Sequence, residues 1–353
     1  MVLVLPVEEK LYIANIAKIA NIAKIRGATP PAGHGRNTKT FEHAPSIFNV
    51  GNVGNVGNAR WRAQTVNVSA VPRPATLRPM PPADRPLRLM AILAHPDDES
   101  LGVGGTLAKY ASEGVEVSLV TATRGQSGRY HGHRDPDRHP GPEQLGRIRE
   151  SELRAAAAVL GVQQLTLLDY HDQALDRADP AEAVTRLVAE LRRVRPDVVL
   201  TFGPDGAYGH PDHIAICQFT TAAVVAAASA TGDGGAHVTK KLYYMAWPPS
   251  TWAAYEAAFG RVVSTVDGNV RQAVAWPEWA ITTVIDTRRF WPDVWKAISC
   301  HDSQVAAYEG LKTLSPQHHE ALWGAQSFYR VMSTVNGGRT AETDLFEGIR
   351  VNR

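Results

Sequence analysis

Ala94-His95-Pro96-Asp97-Asp98-Glu99 follows an apolar run, Leu89 to Leu93, and precedes a glycine-rich segment, Leu101 to Gly105. A short apolar run ending in a polar turn, with a helix-compatible stretch behind it, reads as a buried strand feeding a helix. Gly104 to Glu113 is expected as that helix, with Gly114 as its stop, and Val115 to Thr121 as the next strand. Strand–helix–strand order predicts parallel pairing. The same grammar recurs further on. Val198 to Phe202, bounded by Pro196 and Gly203, is a second apolar strand, and Gly209-His210-Pro211-Asp212-His213 lies just beyond it.

The pattern extends outward from these two stretches. Helices are expected over Ile148 to Leu160, Pro180 to Val194, Ile214 to Ala228 and Pro292 to Ser299. Strands are expected over Leu165 to Leu168, Leu242 to Trp247, Ile281 to Ile285 and Phe328 to Val331. Residues 124 to 146, rich in Arg, His, Gly and Pro, read as a long loop. Alternation of this kind argues an α/β fold: a three-layer αβα sandwich on a mostly parallel sheet. Both His-Pro-Asp loops then fall at the carboxyl ends of strands, where open α/β sheets build their sites. The tryptophans of the second half (Trp247, Trp252, Trp276, Trp279, Trp291, Trp295, Trp323) read as core or lid, since large aromatics dominate cores.

Two loops supplying histidines and adjacent carboxylates are the raw material of a metal site. A catalytic zinc takes about three protein ligands and leaves a position open for water. His95, Asp98 and one histidine of the second loop make a His2Asp set. Asp97 and Asp98 are neighbours, so their side chains diverge, and Asp97 is placed as a base for the activated water. Either His210 or His213 can be the third ligand. The other is free to donate to the leaving amine or to the tetrahedral oxyanion, with Asp212 to orient it and raise its pKa and Tyr208 to add a hydroxyl. A lone His-Pro-Asp-Asp would be a capped turn, because Asp and Pro favour helix starts. Two such loops, both after strands, are not explained that way.

Competing motifs fail. Gly102-Val103-Gly104-Gly105 hints at a dinucleotide loop, but Leu107 stands where its third glycine belongs. Gly125-Gln126-Ser127-Gly128 starts a nucleophile elbow that Arg129 breaks. A formal net charge of +2 over 353 residues gives no nucleic-acid footprint. No apolar run approaches the ~18 residues of a membrane span. The two cysteines, Cys217 and Cys300, form no CxxC pair and read as buried thiols in a reducing compartment. A cytoplasmic protein is expected.

Residues 1 to 86 differ from the rest. Ile13, Ile16, Ile19, Ile22 and Ile25 step by three, Asn-Val-Gly occurs three times between Asn49 and Gly57, and prolines cluster from Pro72 to Pro86. Glu8 and Glu9 and the lack of a basic start argue against a signal peptide. This region is expected as a low-complexity, poorly ordered leader, and residues 87–353 as the folded domain.

At the quoted residues the chain resembles the PIG-L/LmbE family of zinc-dependent N-deacetylases, over roughly Leu87 to Val335. The resemblance implies a Rossmann-like fold and removal of acetyl groups from N-acetylglucosamine conjugates. It implies His95, Asp98 and His213 as zinc ligands and Asp97 as general base. His210, with Asp212 behind it, is implied as acid or oxyanion stabiliser, and Ala207-Tyr208-Gly209 as a mobile tyrosine loop. Arg149 and Asp172 are implied as sugar contacts, and His301-Asp302-Ser303-Gln304 as a late motif near the site. The chain departs from the family at Gln126, where many members carry glutamate, and Tyr130 to Pro142 matches no family pattern. Arg129, Arg134 and Arg138 there, alternating with Asp135 and Asp137, read as a solvated loop.

The expected function is zinc-dependent hydrolysis of an N-acetyl amide on a small N-acetylated sugar conjugate, releasing acetate and a free amine. Iron(II) suits the same donors. The rivals are an amidohydrolase for another N-acyl group, on an antibiotic or thiol conjugate, and a sugar-binding protein without turnover. Phosphate-ester hydrolysis would usually want two metals and more carboxylates. The sequence leaves the oligomeric state undetermined.

Overall fold

The computed structural model describes residues 85–350, apart from 230–234, 305, 307–308 and 339, so the expectations for the leader lie outside the described residues up to residue 84. β1 (Arg88–Leu93) is fully buried from Leu89 onward, as a strand covered on both faces must be. β2 (Glu116–Thr123), β3 (Gln164–Tyr170), β4 (Val198–Thr201) and β5 (Lys241–Met245) run parallel with it, while β9 (Ala325–Ser333) is antiparallel to both β5 and β8 (Thr283–Asp286). The sheet order is β3-β2-β1-β4-β5-β9-β8. From β1 the chain builds outward through β2 to β3, then returns to β4 on the other side of β1. The switch point therefore falls between β1 and β4.

Helices cover both faces. α1 (Asp98–Ser112) and α2 (Pro142–Val159) pack with α6 (Trp291–Ile298), and α3 (Pro180–Val194) packs on α4 (Pro211–Ala227). This is the three-layer, mostly parallel α/β sandwich expected. Among the described residues, no helix is long and apolar enough to cross a membrane.

Three helices start earlier than the apolar periodicity indicates, and all three starts are chemical. α1 begins at Asp98, with Asp98 and Glu99 placed in its first turn against the positive end of the helix. α2 begins at Pro142 and α4 at Pro211, where a fixed φ suits the first helical position. The loop before α2 is shorter as a result. The glycines that resembled a dinucleotide loop lie inside α1 and serve packing. A Cβ on Gly105 would stand 2.7 Å from the Cβ of Thr287, and one on Gly102 would stand 2.8 Å from Met245 Sδ.

The second half holds elements the periodicity did not reveal: α5 (Pro249–Phe259), the separate hairpin of β6 (Val263–Val266) and β7 (Asn269–Gln272), and α7 (Pro316–Trp323). The hairpin turns on Asp267 and Gly268, both at positive φ, which is the type I′ signature. Trp323 and Trp252 are core, while Trp279 is 80% exposed. Both cysteines are unpaired, but Cys300 is only half-buried, against the expectation of two buried thiols.

Glu342 fastens the last described segment to this frame. It is buried, and its carboxylate accepts from Lys241 Nζ (2.7 Å), Tyr243 Oη (2.8 Å), Thr283 Oγ1 (2.8 Å), Arg330 Nη1 (2.6 Å) and Asn336 Nδ2 (2.8 Å). Burial alone would raise its pKa, but these donors outweigh it and hold the group at about 2. Glu342→Ala strands the buried Lys241 ammonium and is expected to lower unfolding stability by roughly 3–5 kcal/mol in urea titration. The depressed carboxyl pKa stabilises the fold above its ordinary value of 4.5, and that contribution is lost as pH falls towards about 2. Glu342→Gln should accordingly lose less stability than the parent over that window.

Candidate metal centre and active site

Because β1 and β4 are neighbours whose following chains part to opposite faces, the loops after them share one crevice. His95 and Asp98 come from the first loop, His210, Asp212 and His213 from the second, and Asp172 from the turn after β3. His95 Nδ1 lies 3.2 Å from His213 Nε2 and 3.6 Å from Asp98 Oδ2, and His213 Nε2 lies 3.5 Å from Asp98 Oδ1. A tetrahedral zinc with ~2.0–2.1 Å bonds has donor–donor edges of roughly 3.3 Å. The three donors therefore fit a small divalent metal. His210 comes to the same crevice, and His95, His210 and His213 also bring donor atoms within 4.8 Å of one another.

The surrounding hydrogen bonds set each donor. His95 Nε2 faces Asp212 Oδ2 and Asp172 Oδ1, both at 3.1 Å, so a proton is held there and Nδ1 is the nitrogen turned to His213 and Asp98. Burial opposes a charged His95, but Asp172, Asp212 and Asp98 outweigh it and raise its pKa well above the ordinary value, so a cation binding at Nδ1 must displace a proton from the ring. His213 Nδ1 donates to the Gly206 carbonyl at 3.2 Å, leaving Nε2 as the lone-pair donor. Its ring stacks on Phe202, with centroids 3.9 Å apart. Burial pushes its pKa down to about 3, so it is neutral. Asp98 Oδ2 accepts from the backbone N–H groups of His95 (2.7 Å) and Ala94 (3.2 Å), which folds the loop back on itself. Burial works against the Asp98 carboxylate, yet His213 and His95 hold its pKa well below the ordinary range.

Asp97 stands apart from this set. It caps α1 with its backbone at φ 107°, ψ −24°, and its side chain makes no cap bond. Such a conformation in a non-glycine residue costs of order 1–3 kcal/mol and marks functional loops. Its Oδ2 accepts from Arg149 Nη2 at 3.0 Å. The Arg149 guanidinium, buried, also donates to the carbonyls of Gly125 (2.9 Å) and Pro96. A Cβ on Gly125 would sit 2.0 Å from Arg149 Nη1, so that position, at φ +63°, requires glycine.

The structure resolves the second loop differently from one expectation. The Asp212 carboxylate turns to His95 and to the N–H groups of Gln173 (2.7 Å) and Leu175 (3.1 Å), and does not stand behind the His210 ring. Only the Asp212 backbone N–H meets His210, donating to Nδ1 at 3.2 Å as the cap of α4. Burial and the neighbouring His95 lower the His210 pKa, outweighing Asp212, Asp98 and Asp172, which raise it. Tyr208 lies in the strained turn Gly206–Gly209, where Ala207 has φ 65°, and its ring meets His210 and His213 edge-on. Burial raises the pKa of its hydroxyl, which therefore stays protonated. Arg149 and Asp172 come to the crevice, engaged with Asp97 and His95. Phe202, Gly206 and Glu99 were not singled out from the sequence. Only Glu99 had a visible signal, as the third consecutive acid of the first motif.

Fold and crevice together define an α/β enzyme whose centre, at the sheet's switch point, is built from a His2Asp donor set with a further carboxylate beside it. A family model described as GlcNAc-PI de-N-acetylase (PIG-L) matches residues 90–224. A 1D-myo-inositol 2-acetamido-2-deoxy-alpha-D-glucopyranoside deacetylase of Kineococcus radiotolerans is 33% identical over 322 residues, 78% of this chain and 87% of that one. The chain belongs to the PIG-L family of N-deacetylases. Two solved structures share the fold. N,N'-diacetylchitobiose deacetylase from Pyrococcus horikoshii has a TM-score of 0.52 at 21% identity, covering 69% of this chain and 83% of that one. The 4-carboxy-2-hydroxymuconate hydratase of Pseudomonas putida has 0.54 at 20%, covering 71% and 99%.

Asp212→Asn weakens the support of His95 while leaving the three donors in place. It is expected to lower metal affinity by roughly 10–100-fold, measured by chelator competition.

Proposed function

We propose that this protein hydrolyses the N-acetyl amide of an N-acetylglucosamine conjugate, releasing acetate and a free amine, with zinc held by His95, Asp98 and His213. The GlcNAc-inositol glycoside named for the Kineococcus relative is the substrate to try first. Iron(II) is the second candidate for the same donors. The observation that carries the reading is the division between consecutive residues: Asp98 joins the donor set, while Asp97, at positive φ, keeps its carboxylate out of it and on Arg149.

A divalent cation bound there polarises the amide carbonyl and lowers the pKa of water towards neutrality. Asp97 accepts the proton of the attacking water. His210 is neutral and its Nδ1 is occupied by the Asp212 N–H, so Nε2–H is the side that donates to the oxyanion. The Tyr208 hydroxyl supplies a second donor. As the C–N bond breaks, the proton held by Asp97 passes to the amine nitrogen. Arg149 and Asp172 serve this chemistry by holding Asp97 and His95, and any contact they make with sugar is in addition to that.

Every residue named comes from beyond Leu87, and we assign the reaction to that region. A cytoplasmic setting fits the unpaired Cys217 and Cys300, since reducing compartments keep thiols free.

Metal-loaded protein is expected to release acetate and free amine from the GlcNAc-inositol glycoside. Asp97→Asn should lower kcat by on the order of 10²–10⁴-fold with metal content unchanged. Metal binding without release from this or any N-acyl panel member would leave a binding protein and sink the hydrolytic reading.

A further inference from the structure

Asp97 presents a problem that the reaction alone does not solve. A side chain at φ 107° relaxes unless its surroundings hold it. The Asp97 N–H donates to Glu99 Oε2 at 3.0 Å. Glu99 is completely buried, and its Oε1 accepts from His301 Nε2 at 2.8 Å and from Ser100 Oγ at 2.5 Å. His301 is equally buried, and its Nδ1 has no hydrogen-bond partner among the described residues. The contact to Glu99 is thus the side chain's one committed bond.

Helix capping does not account for this arrangement. An acid in a first helical turn gains from the helix dipole while sitting in water. α3 is capped by a single exposed residue, Asp179, and α7 by Ser315, with no buried ion pair beneath either among the described residues. At α1 the chain instead sends a histidine from 202 positions away to meet a buried carboxylate. Sinking both groups out of water is unfavourable unless they pair, and pairing alone seldom recovers the loss. What the pair accomplishes locally is to fix an acceptor under the Asp97 N–H.

The turn that carries His301 is itself anchored. Ser303 donates through N (2.6 Å) and Oγ (2.7 Å) to Glu152 on α2, the helix that also carries Arg149. Asp97 is therefore gripped twice from one neighbouring block: its backbone through Glu99 and His301, and its carboxylate through Arg149.

We propose that Glu99 and His301 are positioning residues which hold the Asp97 backbone in its left-handed conformation, so that consecutive carboxylates can serve separately as metal ligand and base. This rests on the assignment of Asp97 as base. On this reading the His301-Asp302-Ser303-Gln304 motif reaches the chemistry through Glu99 and does not touch substrate.

The test compares metal-loaded Glu99→Ala, Glu99→Gln and His301→Leu in the full chain, by kinetics and by crystal structure. Glu99→Ala should lower kcat by on the order of 100-fold, the scale of a catalytic group displaced by about 1 Å, with KM and metal content unchanged. Glu99→Gln, which keeps an oxygen for the Asp97 N–H, should recover most of that loss. Added to Asp97→Asn, Glu99→Ala should cost nothing further, because it acts only through Asp97. The Glu99→Ala structure should show Asp97 returned to negative φ. Should that variant fail to fold, His301→Leu carries the same comparisons. An unchanged Asp97 φ, or an additive loss in the double variant, overturns the proposal. The φ comparison decides it even if the parent protein proves inactive on every N-acyl substrate, a result that would sink the proposed function instead.

Discussion

His95 lies between two kinds of neighbour. On one side its Nδ1 meets His213 and Asp98, and on the other its Nε2 meets Asp172 and Asp212. One nitrogen of the buried imidazole must keep its proton when the other gives a lone pair to a cation. The carboxylates decide which. They also come from the ends of β3 and β4, so orienting one ring ties together chain segments that follow three different strands. The crevice would otherwise be a gap at the switch point, lined by loops with no reason to keep their distances.

Much of the frame is legible in the chain because its signals are local. Leu89 to Leu93 is apolar throughout and Val198 to Phe202 apolar but for Thr201, as suits parallel strands when helices cover both faces. Both are followed by His-Pro-Asp turns that start helices. Given strands and helices in that order, parallel pairing and the site's edge follow from chain geometry. The residues meeting in the crevice are mostly those the two motifs contain.

What escapes such a reading is pairing between segments. Asp212 is two residues from His210, and nearness in sequence suggested that the one supports the other. In the first turn of α4 the two side chains diverge, and the Asp212 carboxylate meets a ring from the other loop. Glu99 was visible as a letter, but its partner lies in the distant turn after α6. Helix α5 was missed because its apolar residues, among them Trp252, Ala253, Ala254 and Tyr255, form no single stripe. The β6–β7 hairpin does carry a local signal in the sequence, the Asp267-Gly268 turn.

The conformation of Asp97 places this loop at odds with the rest of the fold. Glycine is the residue best suited to φ 107°, and relieving strain at such a position is a common route to a more stable protein. Here that route is closed to selection for as long as the carboxylate is used. With Asp97 as the proposed base, the chain keeps at the start of its first helix a residue that is wrong for its backbone and right for that chemistry. Substitutions that stabilise the domain should therefore accumulate elsewhere, and a lineage that abandoned the reaction would be expected to lose this aspartate early.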